Sequence, residues 1–332
     1  MRTVTLERPG RFVLGESARP EAPGPDDALV RVLAVGICGT DLHAFEGTQP
    51  FFTYPRVLGH ELAVEVLAVG GRVSGLKAGD LCAVNPYVTC GKCPACLRGR
   101  TNCCAKMCVI GVHVDGGMRD AIVLPAHLLY RCSGLTPAQI PLVETLSVGI
   151  HAAGRSGVET GDRAIVLGAG PIGLSVIEFL RLAGADIGVV EKMPERLDFA
   201  ARHYGLARRY PSHQEARQEE PSYLVFDCTG DRESMEGAIH LLQQGGKLIF
   251  VGLVNDKVSL FDPDLHRREA TILASRNSTP AEHHRVQEHM ESGRIDVSAW
   301  PTELASPARM AERFPLWARR EAGIVKAVVE WA

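Results

Sequence analysis

Short runs of β-branched and apolar residues, cut by glycine and proline, dominate the first 130 positions. The cluster Arg19–Pro25 breaks the chain, after which Ala28–Val35, Leu62–Val69 and Asp80–Val84 each have the length and composition of a strand. Val109–His127 reads as strands and turns around Asp115-Gly116-Gly117, and Pro141 opens an apolar helix that runs through His151 toward Ala153. From Gly161 the pattern changes. Strand-like and helix-like runs now alternate, as in a parallel sheet with helices on both faces. Ile165–Leu167 predicts a strand, Leu197–Tyr204 a helix, Ser222–Asp227 a strand, Met235–Leu242 a helix, Gly245-Gly246 a turn and Lys247–Gly252 a strand. Thr271–Ala274 predicts the last strand of that sheet and Pro280–Ser292 a charged helix leaving it. A helix near Pro307–Arg319 and an alternating strand Ile324–Trp331 return to the first domain. The segment Arg208–Pro221 is polar and short, with room only for a brief helix.

Composition narrows the class. At 332 residues the chain exceeds the usual single-domain size, so two domains are expected, each with its own core. A net charge of −3 with 23% charged residues carries no basic excess that would suggest nucleic acid. The start MRTVTLERPG lacks the apolar core of a signal peptide, and no apolar run approaches the roughly 18 residues of a membrane span. The expectation is a cytoplasmic protein without membrane or nucleic-acid partners. Ten cysteines suit disulfides poorly in that compartment, and Cys90, Cys93, Cys96 and Cys104 fall within fifteen positions, which points to metal ligation. The sequon Asn277-Ser278-Thr279 is read as accidental.

The most informative stretch runs from Ile165 to Glu191: a strand, glycines at Gly168, Gly170 and Gly173, an apolar helix, and a second β-branched run ending on an acid. Gly168 permits the sharp turn, Gly170 lets backbone N–H groups approach a pyrophosphate, and Gly173 lets helix and sheet pack closely. With Pro171 and Ile172 these residues form the phosphate-facing turn at a helix N-terminus. Glu191 stands 18 residues past Gly173, about where an acid meets the adenosine ribose 2′-hydroxyl and repels a 2′-phosphate, which favours NAD. Lys192 and Arg196 weaken that preference, and Arg196 is itself a candidate cofactor-binding residue. A glycine cluster arising by chance is the competing reading; the strand, helix and terminal acid around it argue for nucleotide binding.

Three further clusters carry metal chemistry. Gly36-Ile37-Cys38-Gly39-Thr40-Asp41-Leu42-His43 and Leu58-Gly59-His60-Glu61 together offer Cys, His and carboxylate, a set suited to zinc with one position open to substrate. Either alone is more simply read as structural. Cys90, Cys93, Cys96 and Cys104 form a CxxCxxC core with a fourth thiol eight residues on, enough for a closed tetrahedral zinc site. An iron–sulfur cluster and a nucleic-acid zinc ribbon are the rivals; the absence of a following Cys-Pro pair and the net charge disfavour them. Cys103 could replace Cys104, and Cys82, Cys108, Cys132 and Cys228 are read as buried apolar residues. Glu144, in the apolar helix after Pro141, needs a partner: either the first metal site or a cap or salt bridge at the helix start.

The motifs GICGTDLH, LGHE, CGKCPACLRGRTNCC, LVETLSVGIHA and GAGPIG, in that order, resemble the zinc-dependent medium-chain dehydrogenases, the family of alcohol, sorbitol and threonine dehydrogenases. The resemblance spans nearly the whole chain. It implies an α/β fold in which a Rossmann doubly wound parallel sheet is inserted into a GroES-like, mainly β catalytic domain: residues 1–145 with a zinc lobe at 88–106, the NAD-binding domain at 146–276, and 277–332 completing the first. Within the family, GTQPFFTYPRVLGHE (47–61), GRTNCC, VIGVHVDGG and ASRNSTP are similar to bacterial hexonate dehydrogenases, which oxidise sugar acids such as L-galactonate or L-gulonate at C5. The shortened Arg208–Pro221 segment departs from the family pattern.

By this resemblance the chain takes NAD and two zinc ions, one catalytic and one structural. Cys38 and His60 bind the catalytic zinc, with Glu61 and Glu144 as carboxylate ligands that exchange with water. Thr40 takes the alcohol proton, His43 relays it to solvent, and Asp41 orients His60. The nicotinamide carboxamide is expected to meet backbone at Val251, Gly252 and Leu253. For Thr40 and His43 the competing readings are a backbone-bonded loop hydroxyl and an exposed imidazole. Arg119, His113, Arg276 and Asn277 are candidates for a substrate carboxylate. The resemblance also implies a small-molecule substrate and a homodimer or homotetramer. Rival functions are a polyol or L-threonine dehydrogenase, a nucleotide-binding redox carrier, and a sensor without turnover.

Overall fold

The computed structural model describes residues 1–50, 52–319 and 323–331. Phe51, in the stretch 47–61 singled out above, and residues 320–322 and 332 of the C-terminal segment lie outside the described residues. The chain divides into two compact units, Met1–Glu144 with Thr279–Ala332, and Thr145–Ser278.

The first unit is built on a mainly antiparallel sheet around the strand Asp27–Gly36. That strand alternates buried and exposed positions at first and then sinks entirely, because it is flanked by Glu61–Val69 on one edge and by Ala121–Pro125 and Lys326–Glu330 on the other. The C-terminal strand thus returns to the first sheet, pairing Val328 with Gly36 and Val329 with Val35. Val30, Val32, Val35, Leu62, Val64, Phe314 and Trp331 lie in one core cluster. Full burial of each such side chain contributes about 1.5–3 kcal/mol.

The second unit is a six-stranded parallel sheet. Its order is Arg208–Tyr210, Asp186–Val190, Arg163–Leu167, Ser222–Asp227, Leu242–Phe250, Thr271–Ala274. The chain grows outward from Arg163–Leu167 in one direction, then crosses over and grows in the other. The strand order therefore reverses between Arg163–Leu167 and Ser222–Asp227, which opens a crevice at their carboxyl ends.

Two local expectations need correction. Gly245-Gly246 is no free turn: it lies inside the strand Leu242–Phe250, where the pairing jumps from Ser222↔Leu242 to Leu224↔Lys247 and a bulge absorbs the extra residues. Gly245 has φ +72°, the left-handed conformation that such a bulge gives to glycine. The helix expected over 235–242 instead covers Arg232–Gly237, because Asp231 caps it by accepting from the Ser234 N–H, and a tight turn Ala238–Leu241 follows. The segment 208–221 does carry a brief helix, His213–Ala216. It also carries the edge strand Arg208–Tyr210, which three residues could not announce by alternation. Among the described residues no helix is long and apolar enough to cross a membrane.

Candidate active site

Three strands of the first unit bring their ends together. Gly36 closes the central strand, Glu61 opens its neighbour in register with Gly36, and Lys326 opens the C-terminal strand. Gly36 lacks a side chain for a reason: a Cβ there would lie 2.2 Å from Glu61 Oε2. Just past Gly36 the chain turns into the helix Gly39–Glu46, with Cys38 as its N-cap residue and its backbone N–H donating to Asp41 Oδ2 at 2.9 Å.

Cys38, His60 and Glu61 are brought together, with one ligand atom from each lying within 4.8 Å of the others. His60 Nδ1 faces Asp41 Oδ1 at 3.6 Å, both groups being buried, so Nε2 is the ring atom left for a cation. Burial opposes charge on the His60 ring, yet the Asp41 carboxylate and the Cys38 sulfur raise its pKa well above the usual 6.5. The pocket favours positive charge, and a mixed S, N, O donor set fits zinc. Glu61 is also gripped by the Lys326 ammonium, Nζ to Oε1 2.6 Å, with both side chains 1% exposed.

Glu144 does not join the three. The Tyr87 hydroxyl donates to its Oε1, and the carboxylate lies close enough to His60 and Glu61 to feel both charges. Burial above all, together with the Glu61 charge, raises the Glu144 carboxyl above its ordinary range against the pull of His60. Burial and the Glu144 charge likewise keep the Tyr87 hydroxyl protonated, as a donor.

Thr40 and His43 sit three residues apart on the helix Gly39–Glu46, hence on one face, and both are half-buried. His43 Nδ1 lies 3.1 Å from Thr48 Oγ1 and 3.4 Å from Glu46 Oε2, with 37% of its side chain exposed, so it reaches solvent.

The four lobe cysteines converge as well. Their sulfurs lie within 4.8 Å of one another, with Cys93–Cys96 and Cys90–Cys104 both at 3.5 Å. That is far beyond a disulfide bond and close to the roughly 3.8 Å edge of a tetrahedron with Zn–S bonds of about 2.3 Å. Backbone N–H groups of Ala105 and Cys96 bring the Cys93 pKa down to about 6, whereas desolvation and the neighbouring thiols push Cys96 up to about 12. Four thiolates this close repel one another unless a cation sits among them. Cys103 is exposed and Cys104 is in the cluster.

In the second unit Gly168 (φ +92°) follows its strand directly, and the helix Pro171–Ala183 starts from Gly170. A Cβ on Gly173 would lie 1.8 Å from the Gly168 carbonyl, so only glycine lets this helix approach the turn. Glu191 directly follows the strand Asp186–Val190 and is buried, with Oε2 accepting from the Ala169 N–H and Oε1 from the Met193 N–H, each at 2.9 Å. Each carboxylate oxygen retains a further lone pair for a hydroxyl. Arg196 is half-buried one turn into the helix Pro194–Tyr204. The N–H groups of Val251 and Gly252 both donate to the Asp227 carbonyl, Leu253 is exposed, and a Cβ on Gly252 would strike Gly230 N at 2.4 Å. The loops after two neighbouring strands thus meet backbone to backbone.

Lys326 and Tyr87 escaped the sequence reading. A lysine in the apolar run IVKAVVEW was the available signal, since a buried ammonium needs a carboxylate. Tyr87 gave none. Arg119 lines an open cavity of about 580 Å³ that shares no lining residue with the metal cluster, and its guanidinium donates to the carbonyls of Gly116 and Asp115. The His113 ring accepts from the Val109 N–H.

Comparison with known proteins agrees with this geometry. Residues 24–134 match the alcohol dehydrogenase GroES-like domain, and residues 171–292 match the zinc-binding dehydrogenase domain. The chain is 35% identical to the L-galactonate-5-dehydrogenase of Escherichia coli (strain K12), over 99% of its own length and 98% of that protein. It is 34% identical to the sorbitol dehydrogenase of Bacillus subtilis (strain 168), over 69% of its length and 68% of that protein. A solved protein of Sinorhizobium meliloti 1021, bound to NADP, superposes with a TM-score of 0.90 at 29% identity, covering 99% of this chain and 98% of that one. A thiolate–imidazole–carboxylate cluster and a four-cysteine lobe in one unit, with a glycine-turn crevice in the other, carry the same signature as these matches: the chain belongs to the zinc-dependent medium-chain dehydrogenases.

Proposed function

We propose that this enzyme oxidises a secondary hydroxyl of a sugar acid, a hexonate such as L-galactonate or L-gulonate at C5, or of a related polyol, with NAD as hydride acceptor. The observation that carries the reading is the meeting of Cys38, His60 and Glu61 at the end of three strands. The likeness to an L-galactonate dehydrogenase over nearly its full length supports the substrate class. When bound, zinc at Cys38, His60 and Glu61 supplies the Lewis acidity that brings an alcohol's pKa toward neutrality, and NAD supplies the hydride acceptor. Thr40 accepts the hydroxyl proton, and His43, on the same helical face and open to solvent, carries it away. Asp41 fixes the His60 ring and Tyr87 holds Glu144 beside the cluster. In the other unit, the helix starting at Gly170 presents its N–H groups to the pyrophosphate and Glu191 takes the ribose hydroxyls. Cys90, Cys93, Cys96 and Cys104 hold the structural zinc.

The NADP-bound relative keeps the other dinucleotide in play for this chain, and Glu191 is the reason for preferring NAD. A panel of hexonates, polyols and threonine, followed by NADH absorbance at fixed pH, is expected to show the highest kcat/KM for a hexonate with NAD. Turnover of threonine alone, or none at all alongside tight NADH binding, would refute it. Glu191→Ala is expected to reduce kcat/KM for NAD far more than for NADP; an unchanged ratio would remove the basis for NAD.

A further inference from the structure

The pairing of Glu61 with Lys326 goes beyond a ligand set. A carboxylate that touches a cation site would ordinarily be left free to bind the ion, yet here the ammonium spans both oxygens, Nζ lying 2.6 Å from Oε1 and 2.5 Å from Oε2. Both side chains are 1% exposed, so the interaction is almost unscreened by water. The backbone of Lys326 is anchored by the Ile37 N–H donating to the Ala327 carbonyl at 3.0 Å and by the pairing of Val328 with Gly36, and its side chain is buried against Glu61. Glu61 sits in register opposite Gly36, where an added Cβ would lie 2.2 Å from its Oε2 and 3.1 Å from its Cβ, so the missing side chain of Gly36 leaves the carboxylate its place beside the ammonium. The carboxylate therefore stands between two positive partners, a fixed ammonium and whatever cation Cys38 and His60 hold, and each draws on the same oxygens.

We infer that Lys326 is a positioning residue that shares the Glu61 carboxylate with the metal, so that this ligand detaches readily and the ion keeps an open position for a substrate hydroxyl. The inference rests on the reading of Cys38, His60 and Glu61 as a zinc site. Without the ammonium the carboxylate has one cation to serve and commits to it, and the ion is held longer. The cost of the arrangement is a looser metal. Its consequence is easier ligand exchange.

The test is zinc release from the fully loaded protein into excess chelator, read by a colorimetric zinc indicator. Cys38→Ser identifies the phase belonging to this site, since the four-cysteine lobe is untouched. In Lys326→Met that phase is expected to slow by about ten-fold or more, the scale on which neighbours of metal ligands act. Lys326→Arg, which restores a cation, is expected to release zinc near the native rate. In a Glu61→Gln background, Lys326→Met is expected to change nothing further. Release in Lys326→Met that is unchanged or faster would overturn the proposal and reduce the pair to a structural ion pair. A slowing that persists in Glu61→Gln would overturn it too, since Lys326 would then act on the ion by simple repulsion. A native protein with no Cys38-dependent phase would refute the metal site itself. Should Lys326→Met not fold, Lys326→Gln, which keeps an N–H donor without the charge, is read by the same criteria.

Discussion

The two glycines of the nucleotide turn separate what the fold needs from what the ligand needs. In Gly173→Ala the new Cβ would sit 1.8 Å from the Gly168 carbonyl oxygen, whereas real Cβ contacts essentially never fall under 3.0 Å, so helix and turn must part by about 1.2 Å. Both sides of the contact are backbone, and Val166, Leu167 and Leu174 around it are fully buried, so no flexible side chain can yield instead. Overpacking of this kind costs about 1–3 kcal/mol. It would also withdraw the helix N-terminus from the proposed phosphate position. Gly170 is the opposite case: φ is −75° and nothing lies within 4 Å of its Cβ position, so Gly170→Ala is expected to leave the fold intact or stabilise it by about 0.4–1 kcal/mol. Its methyl group would occupy the space through which a pyrophosphate approaches the backbone. Thermal melts and NADH fluorescence titrations on both variants distinguish these effects. Gly173→Ala should melt several degrees lower and bind NADH weakly, and Gly170→Ala should melt normally and bind NADH weakly. A Gly170→Ala protein with native NADH affinity would refute the placement of the cofactor at this turn, and a Gly173→Ala protein of native stability would refute the packing argument.

Other outcomes follow from the first unit. Asp41→Asn removes the carboxylate facing His60 Nδ1 and should weaken zinc at that site by about 10–100-fold in a competitive chelator titration. Cys93→Ser should leave one zinc per chain in metal analysis and lower the melting temperature, since a structural zinc contributes its binding energy to folding. His283 is fully buried between the Tyr87 and Tyr130 rings, and burial pushes its pKa down to about 4. Its neutral form is matched to the fold above pH 6.5, and that stability is lost as pH falls from 6.5 toward 4, because the unfolded chain binds the proton first; the full effect is roughly 3 kcal/mol. Denaturant titrations of His283→Phe should therefore show a shallower acid limb than the native protein across that interval. An identical limb would exclude His283 as its source.

Much of the site is legible in the sequence. Cys38, His60 and the four lobe cysteines announced themselves because metal ligands come from few residue types at short spacings, and a turn that must admit a phosphate demands glycine at fixed positions. Glu191 was legible as an acid at a strand end; that both its oxygens would brace the backbone of Ala169 and Met193 was not, because the pairing depends on how two loops fold back. Glu144 shows the limit from the other side. Its helix, its burial and its need for a partner could be read locally, but one partner, Tyr87, lies 57 residues earlier. The turn expected at Gly245-Gly246 failed for a related reason: a glycine pair that can turn the chain can equally form a bulge, and the neighbouring strand decides which.

Residue order alone determined the alternation of strands and helices, the cysteine- and histidine-bearing motifs and the glycine turn, since each is a pattern within a few positions of chain. Only the tertiary structure decided what those groups face. It brought Lys326 to Glu61 across 265 residues by pairing the last strand with Asp27–Gly36, and it placed Asp41 against His60 while drawing Glu144 to Tyr87. Whether a buried charge meets an opposite charge, a hydroxyl or a metal depends on which strands end side by side, and no local pattern encodes that.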